Sequence, residues 1–272
     1  MGHVFSVELP FDFDPSIFDV FALEPDIDGI DWAEDDPVLP AGTATLYVYK
    51  HSTRAVELHL DDEFEVWVPS LSSVADWQIA FAVLERATDL FDTVFVTWND
   101  GDVWELSELV EHCDADWQQL QFLADGRDLL DRVERDGVAV SVAGPLRSVL
   151  VGPHVVNGIT SREFTLEEVL IRTNYVAGPH LVAEAVVEPG ENEQRTLTVL
   201  GPGLRTLLPP ADAVLLDTID ADRPPVLIPV AALDGLAQLD VTRLDEGHRL
   251  VQAVPDSAWP GVLDAAIQHA IS

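Results

Sequence analysis

Forty-nine acidic residues stand against fourteen basic ones in this chain, a formal charge of −35. Yet 47% of its residues are hydrophobic, enough to bury a core. The acids must therefore coat a folded body rather than form a disordered acidic tail. Lys50 is the single lysine, so thirteen of the fourteen cations are arginines. Carboxylates at this density repel one another and cost stability unless salt or a cationic partner screens them. Binding to nucleic-acid phosphates needs clustered Lys and Arg and is disfavoured, and anionic membranes are disfavoured for the same reason.

Three explanations fit such a charge. Carboxylates can hold hydrated cations in a salty cytosol, they can capture a basic protein quickly, or they can imitate nucleic acid. The first predicts acids scattered evenly. They are spread widely, although residues 145–162 and 194–211 contain none.

The compartment follows from what is missing. Cys113 is the single cysteine, so no intrachain disulfide can form, which suits a reducing environment. The first residues lack a basic region followed by an apolar stretch, so no secretory signal is expected. No run approaches the roughly eighteen apolar residues of a membrane span. A cytoplasmic protein is the expectation.

Periodicity points to an α+β fold of antiparallel sheets with packed amphipathic helices. Phe5, Val7 and Leu9 alternate with Val4, Ser6 and Glu8, as a half-buried strand requires. Thr43–Lys50, Ala55–Leu60 and Glu63–Val68 read as an antiparallel meander, and Thr93–Trp98 with Val103–Leu106 as a hairpin around Asn99-Asp100-Gly101. Ser73 caps a helix, with Asp76 as its capping-box partner and Val74, Trp77, Phe81, Leu84 and Phe91 along one face. Residues 13–42, with four prolines, read as a long loop containing one short helix near 15–22. Residues 107–136 read as helix in pieces, weakened at Gly126 and ended by Gly137. Strand 138–142 follows.

Beyond it come a Thr165-capped helix and strands at 181–187, 196–200, 213–216 and 226–229. A short helix at 231–239, a strand at 248–253 and a final helix at 257–271 complete the reading. Glu65–Pro69 followed by Trp77 echoes Leu250–Pro255 followed by Trp259, and Val151-Gly-Pro-His154 echoes Ala177-Gly-Pro-His180. These echoes suggest two related α+β units, 1–143 and 144–272.

Chemistry-bearing motifs are sparse. There is no GxGxxG, P-loop, GxSxG, CxxC or kinase set, so neither a cofactor nor a catalytic residue is expected. Glu57, His59 and Asp61 alternate, which would place three metal-ligating side chains on one strand face; the competing reading is an ordinary solvent face. Glu108 and His112 are neighbours on a helix beside Cys113, which is expected to be a small buried side chain. The densest acidic cluster is Asp26, Asp28, Asp31, Glu34, Asp35 and Asp36, with Ile30 and Trp32 among the acids. Asp26-Ile-Asp-Gly29 is similar to part of a calcium loop but lacks the spacing of an EF-hand. As apolar anchors surrounded by charge, the same residues suit an epitope that grips a basic partner.

Strand, acidic turn and Trp-bearing helix (His248–Ile271, with Val226–Leu233 before it) resemble uncharacterised acidic bacterial proteins encoded beside polymorphic toxins. That resemblance implies an immunity-like role. The −35 charge, the missing catalytic motifs and the aromatic-rich acidic loop make a non-enzymatic binder of a basic protein the leading expectation. The alternative is an enzyme or metal-binding protein of a halophile whose acidity is only solvation.

Overall fold

Residues that alternate between buried and exposed build the first part of the chain into a one-sided sheet. The computed structural model describes residues 2–14, 18–33, 39, 42–99, 101–176, 181–183, 186–188, 195–218 and 224–271. They fall into two units, Met1–Tyr175 and Val176–Ser272.

In the first unit, strands β1 (His3–Glu8), β2 (Ile30–Trp32), β3 (Thr43–Val48), β4 (Val56–Leu60), β5 (Glu63–Val68), β6 (Phe95–Trp98) and β7 (Asp102–Glu105) form one antiparallel sheet. Their order is β2-β3-β4-β5-β1-β6-β7. Phe5, Val7, Leu46, Leu58, Phe64 and Val66 point to one face and are fully buried. Helix α1 (Val74–Leu90) covers that face with Trp77, Ile79, Ala80, Val83 and Leu84. Each buried Val, Leu, Ile or Phe side chain here contributes about 1.5–3 kcal/mol. The expected capping box is present: Ser73 accepts from the Asp76 N–H, and the Asp76 carboxylate accepts from the Ser73 N–H.

Between residues 13 and 42, the described residues hold two short elements, one overlapping the expected short helix and one that the loop reading did not place. Asp19 caps a 3-10 turn at Val20–Leu23, whose Val20 and Leu23 are buried, and β2 then forms one edge of the sheet. A strand of three residues is too short to show alternation in sequence.

The predicted broken helix is two helices, α2 (Leu106–His112) and α3 (Ala115–Asp136). The break is at Cys113-Asp114, where the Asp114 carboxylate accepts from the Trp117 N–H at 2.8 Å. Gly126 does not interrupt α3. It is buried, and a Cβ there would meet Leu166 Cδ2 at 3.1 Å, so close packing offsets its low helix propensity. Gly137, at φ +66°, ends the helix in the left-handed conformation.

The hairpin β8 (Val140–Val142) and β9 (Val149–Val151) leads to α4 (Pro153–Thr160) and α5 (Leu166–Asn174). These elements share a core with Leu71, Phe122 and Val133. Asn174 Oδ1 accepts from the N–H groups of Leu146 and Arg147, both at 3.2 Å, and its Nδ2 donates to Leu170 O. The two units divide after Tyr175 and not after residue 143, and 144–175 share a core with Leu71, Phe122 and Val133 of the first unit.

The second unit is built differently. It contains β10 (Leu181–Val182), β11 (Val186–Glu188), β12 (Arg195–Leu200), β13 (Thr206–Leu208), β14 (Ala213–Leu216), β15 (Val226–Pro229), β16 (Val241–Arg243), β17 (Arg249–Val251) and α6 (Trp259–Ala266). They form two four-stranded sheets, β10-β13-β17-β16 and β11-β12-β14-β15. Each includes one parallel pair, β10 with β13 and β12 with β14. The predicted strand 181–187 is divided between the two sheets, and the helix expected at 231–239 is a 3-10 turn over Val230–Gly235. Trp259 anchors α6: it is buried, and its Nε1 donates to Asp217 O at 2.7 Å. Trp77 and Trp259 do each follow a strand and enter a helix as buried anchors, but the sheets around them share neither strand number nor pairing. The echo is local. The chain is thus α+β, and among the described residues no helix is long and apolar enough to cross a membrane.

Candidate functional site

The described part of the acidic segment, residues 26–33, leads into and through β2. Gly29, at φ +77°, turns the chain after Asp26 and Asp28, both exposed. Ile30 and Trp32 then take the inward positions of β2 and pack against the core of the first unit. Trp32 Nε1 donates to Glu24 Oε2 at 3.2 Å, and its ring meets Phe21 edge-on at 5.9 Å. Both Ile30 and Trp32 are half-buried there, so sheet pairing turns part of each side chain inward. Asp31 faces out and accepts from the Tyr47 hydroxyl at 3.1 Å. Burial, and secondarily the Asp31 charge, pushes the Tyr47 phenol up to about 12. Glu34, Asp35 and Asp36 lie outside the described residues.

What the structure adds is a set of depressions along α1. Pro25, Asp26 and Ile27 line one of about 350 Å³ with Ala82, Glu85, Arg86 and Asp89 of α1. Glu85 and Asp89 also line a second, of about 700 Å³, against Phe81, Val94, Glu105 and Val110. Asp89 and Asp92 share a third with Val94 and Phe95. Across these three depressions Asp26, Glu85, Asp89, Asp92 and Glu105 line the walls together with Ile27, Phe81, Val94 and Val110, and Arg86 is the one cation among the lining residues. Apolar side chains interleaved with charges of one sign suit an amphipathic partner of the opposite sign. Of these acids, sequence reasoning found Asp26. Glu85 and Asp89 were legible as an i, i+4 pair flanking the Trp77 face of α1. That Glu105 of β7 comes beside them is a tertiary fact.

The Glu57, His59, Asp61 triad does not assemble. Glu57 and His59 share a face of β4, with His59 Nε2 3.7 Å from Glu57 Oε2. His59 packs on the Trp67 ring at 4.9 Å between centroids. Asp61 lies past the strand end, in the turn closed by its N–H to Glu63 O, where alternation stops. Among the described residues no three His, Cys, Asp or Glu side chains are placed to hold a metal ion, the Asp26–Asp28 loop included.

Cys113 is buried, and burial first, then the neighbouring Asp114, pushes its thiol up to about 12. A thiol so far from its thiolate form is a poor nucleophile. His112 stacks on Trp104 at 5.1 Å instead of facing a reactive group. It belongs to an aromatic cluster with His3, Trp77, Trp98 and Trp117. Trp98 Nε1 donates to His3 Nδ1 at 3.3 Å, and burial lowers the His3 pKa, so the ring is held neutral. His154 has partners in the fold, and His180 lies outside the described residues.

In comparisons with known proteins, no family model, no curated protein and no solved structure matches the chain.

Proposed function

We propose that this chain is a non-enzymatic acidic binding protein of the cytoplasm that captures a basic protein through its first unit. One observation carries the reading: the first unit, which holds the clefts described above, is the more acidic for its size, −26 over 175 residues against −9 over 97. Met1–Tyr175 holds 35 acidic and 9 basic residues, whereas Val176–Ser272 holds 14 and 5. The first unit therefore carries −26 of the −35 total. Acidity that served only to hold water in a salty cytosol has no reason to favour one unit. Acidity that steers a cationic partner concentrates around its docking surface.

The test is stopped-flow association with a small basic protein as probe, at rising salt. The expected association rate falls at least about tenfold between roughly 10 and 150 mM salt. The double reversal Glu85→Lys/Asp89→Lys slows it further, and more than Asp240→Lys/Asp256→Lys, which makes the same charge change in the second unit. Equal effects of the two pairs, or a rate indifferent to salt, would count against the proposal.

A further inference from the structure

A second concave surface lies away from α1, between α3 and the turn joining α4 to α5. It is a groove of about 830 Å³. Its floor is apolar: Phe122 and Leu166 are buried, and Leu130, Ile159 and Phe164 are half-buried. Arg172 lies over the Phe164 ring at 4.3 Å and fixes that wall. Asp131, Glu134, Glu163, Glu167 and Glu168 line the groove against two cations, Arg127 and Arg162.

Along α3 the groove runs from Gln119 to Glu134, roughly 24 Å at about 1.5 Å per residue. The α3 lining residues Leu123, Arg127, Leu130 and Glu134 follow a seam spacing of four and three, and Leu120, one turn before Leu123, extends that seam just beyond the groove lining. Leu120 and Leu123 are 64% and 54% exposed, an unusual state for two leucines one helical turn apart. This alternation is what a helix presents to another helix packed alongside it. None of the buried polar atoms that lack a partner among the described residues belongs to a groove-lining residue, so nothing there orients a small polar ligand.

We propose that this groove docks an amphipathic helix with a basic polar face, belonging to the captured partner. Charge complementarity selects that occupant: a second copy of this chain would bring its own net −35 against an acidic rim. The proposal rests on the reading of a cationic partner but not on the α1 clefts. Leu120 and Leu123 would bury against the apolar face, and the acids at the rim would meet Lys or Arg flanking it.

The experiment titrates the full chain with two labelled peptides of about 18 residues, a length that covers the groove. Both contain the same numbers of Leu and Lys. One gathers the leucines on a single helix face, and the other spreads them around the helix. The facially segregated peptide is expected to bind at least about tenfold tighter, the equivalent of burying a leucine or two. Leu120→Lys/Leu123→Lys is expected to erase that preference while both peptides still bind, and because both positions are exposed the variant keeps its fold. If both peptides bind equally to the parent chain, or the preference survives the double variant, the groove proposal falls and electrostatic capture stands. Failure of either peptide to bind at low salt would overturn both. A parent chain that sediments as a dimer, with the double variant monomeric, would assign the groove to a second copy and overturn the proposal as well.

Discussion

Asp76 and Asp245 are both fully buried carboxylates, one in each unit, and they are satisfied in different ways. Asp76 gathers its donors on one oxygen. Oδ2 accepts the N–H groups of Ser73 at 2.7 Å and of Thr53 and Arg54 at 3.2 Å each. The hydroxyls of Ser73 and Thr53 lie 3.0 and 3.1 Å away, each also aimed at a backbone carbonyl. Its Oδ1 is buried without a partner among the described residues. The nearby Arg54 guanidinium donates to Ser70 O rather than to the carboxylate. Asp245, by contrast, faces a cationisable ring: Oδ2 lies 2.9 Å from His248 Nδ1, while Oδ1 accepts the N–H groups of Gly247 and His248. Beside it Arg249 grips Asp234 through two bonds of 3.0 Å, and Arg243 holds Glu246 at 2.9 Å. The second unit pairs these particular charges internally, whereas the first holds its buried acid with neutral donors.

The sharpest way to break this contrast is to remove Asp76. Asp76→Ala leaves three N–H groups without an acceptor and is expected to cost about 3–5 kcal/mol in chemical denaturation. Asp76→Asn keeps an oxygen facing those donors and is expected to cost less. Equal losses for the two would show that the charge, not the acceptor, matters.

The pH dependence comes next. Burial pushes the Asp76 carboxyl up to about 6, against 3.8 when unfolded, so the folded state binds its proton more tightly. The stability this contributes is fully present below about pH 4, is lost as pH rises to about 6, and stays lost above. At about 1.4 kcal/mol per unit the swing approaches 3 kcal/mol. It should appear as the difference between wild type and Asp76→Asn over that window, and a flat difference would mean that the donors have cancelled the burial. His3 has the opposite slope: with its pKa lowered in the fold, stability is lost as pH falls below 6.5, because the unfolded chain takes the proton first.

In the second unit, Arg249→Leu breaks the bidentate pair with Asp234 and is expected to cost about 1–3 kcal/mol, read from the urea midpoint. The pair is partly sheltered, so the loss should change little with salt. The smallest effect is a gain. Glu85→Lys/Asp89→Lys should stabilise the fold by up to about 1 kcal/mol at low salt by relieving repulsion, and the gain should vanish as salt is added. Asp240→Lys/Asp256→Lys should gain less, since the second unit carries less surplus charge.

The parts of the fold that local pattern controls were legible in the sequence. The β3–β5 meander, the β6–β7 hairpin and the Ser73 cap each depend on residues within a few positions of one another. The parts that depend on distant partners were not. Gly126 continues α3 because Leu166 packs against it from a later helix. Helix α4 begins at Pro153 with no side-chain cap to announce it. The exposed Asp26 and Asp28 could be read from the chain, but the inward turn of Ile30 and Trp32 follows from pairing with β3. The lining of the α1 clefts combines residues from β2's approach, α1 and the loops around β6 and α2.

Whether the acidity serves a partner or a salty solvent is read from thermal unfolding between low and molar KCl, with and without calcium and zinc. If it serves a partner, a cooperative transition well above room temperature is expected at about 10 mM KCl, with neither metal required. Collapse of the fold below molar KCl would contradict service to a partner, since the carboxylates would then be an adaptation to salt.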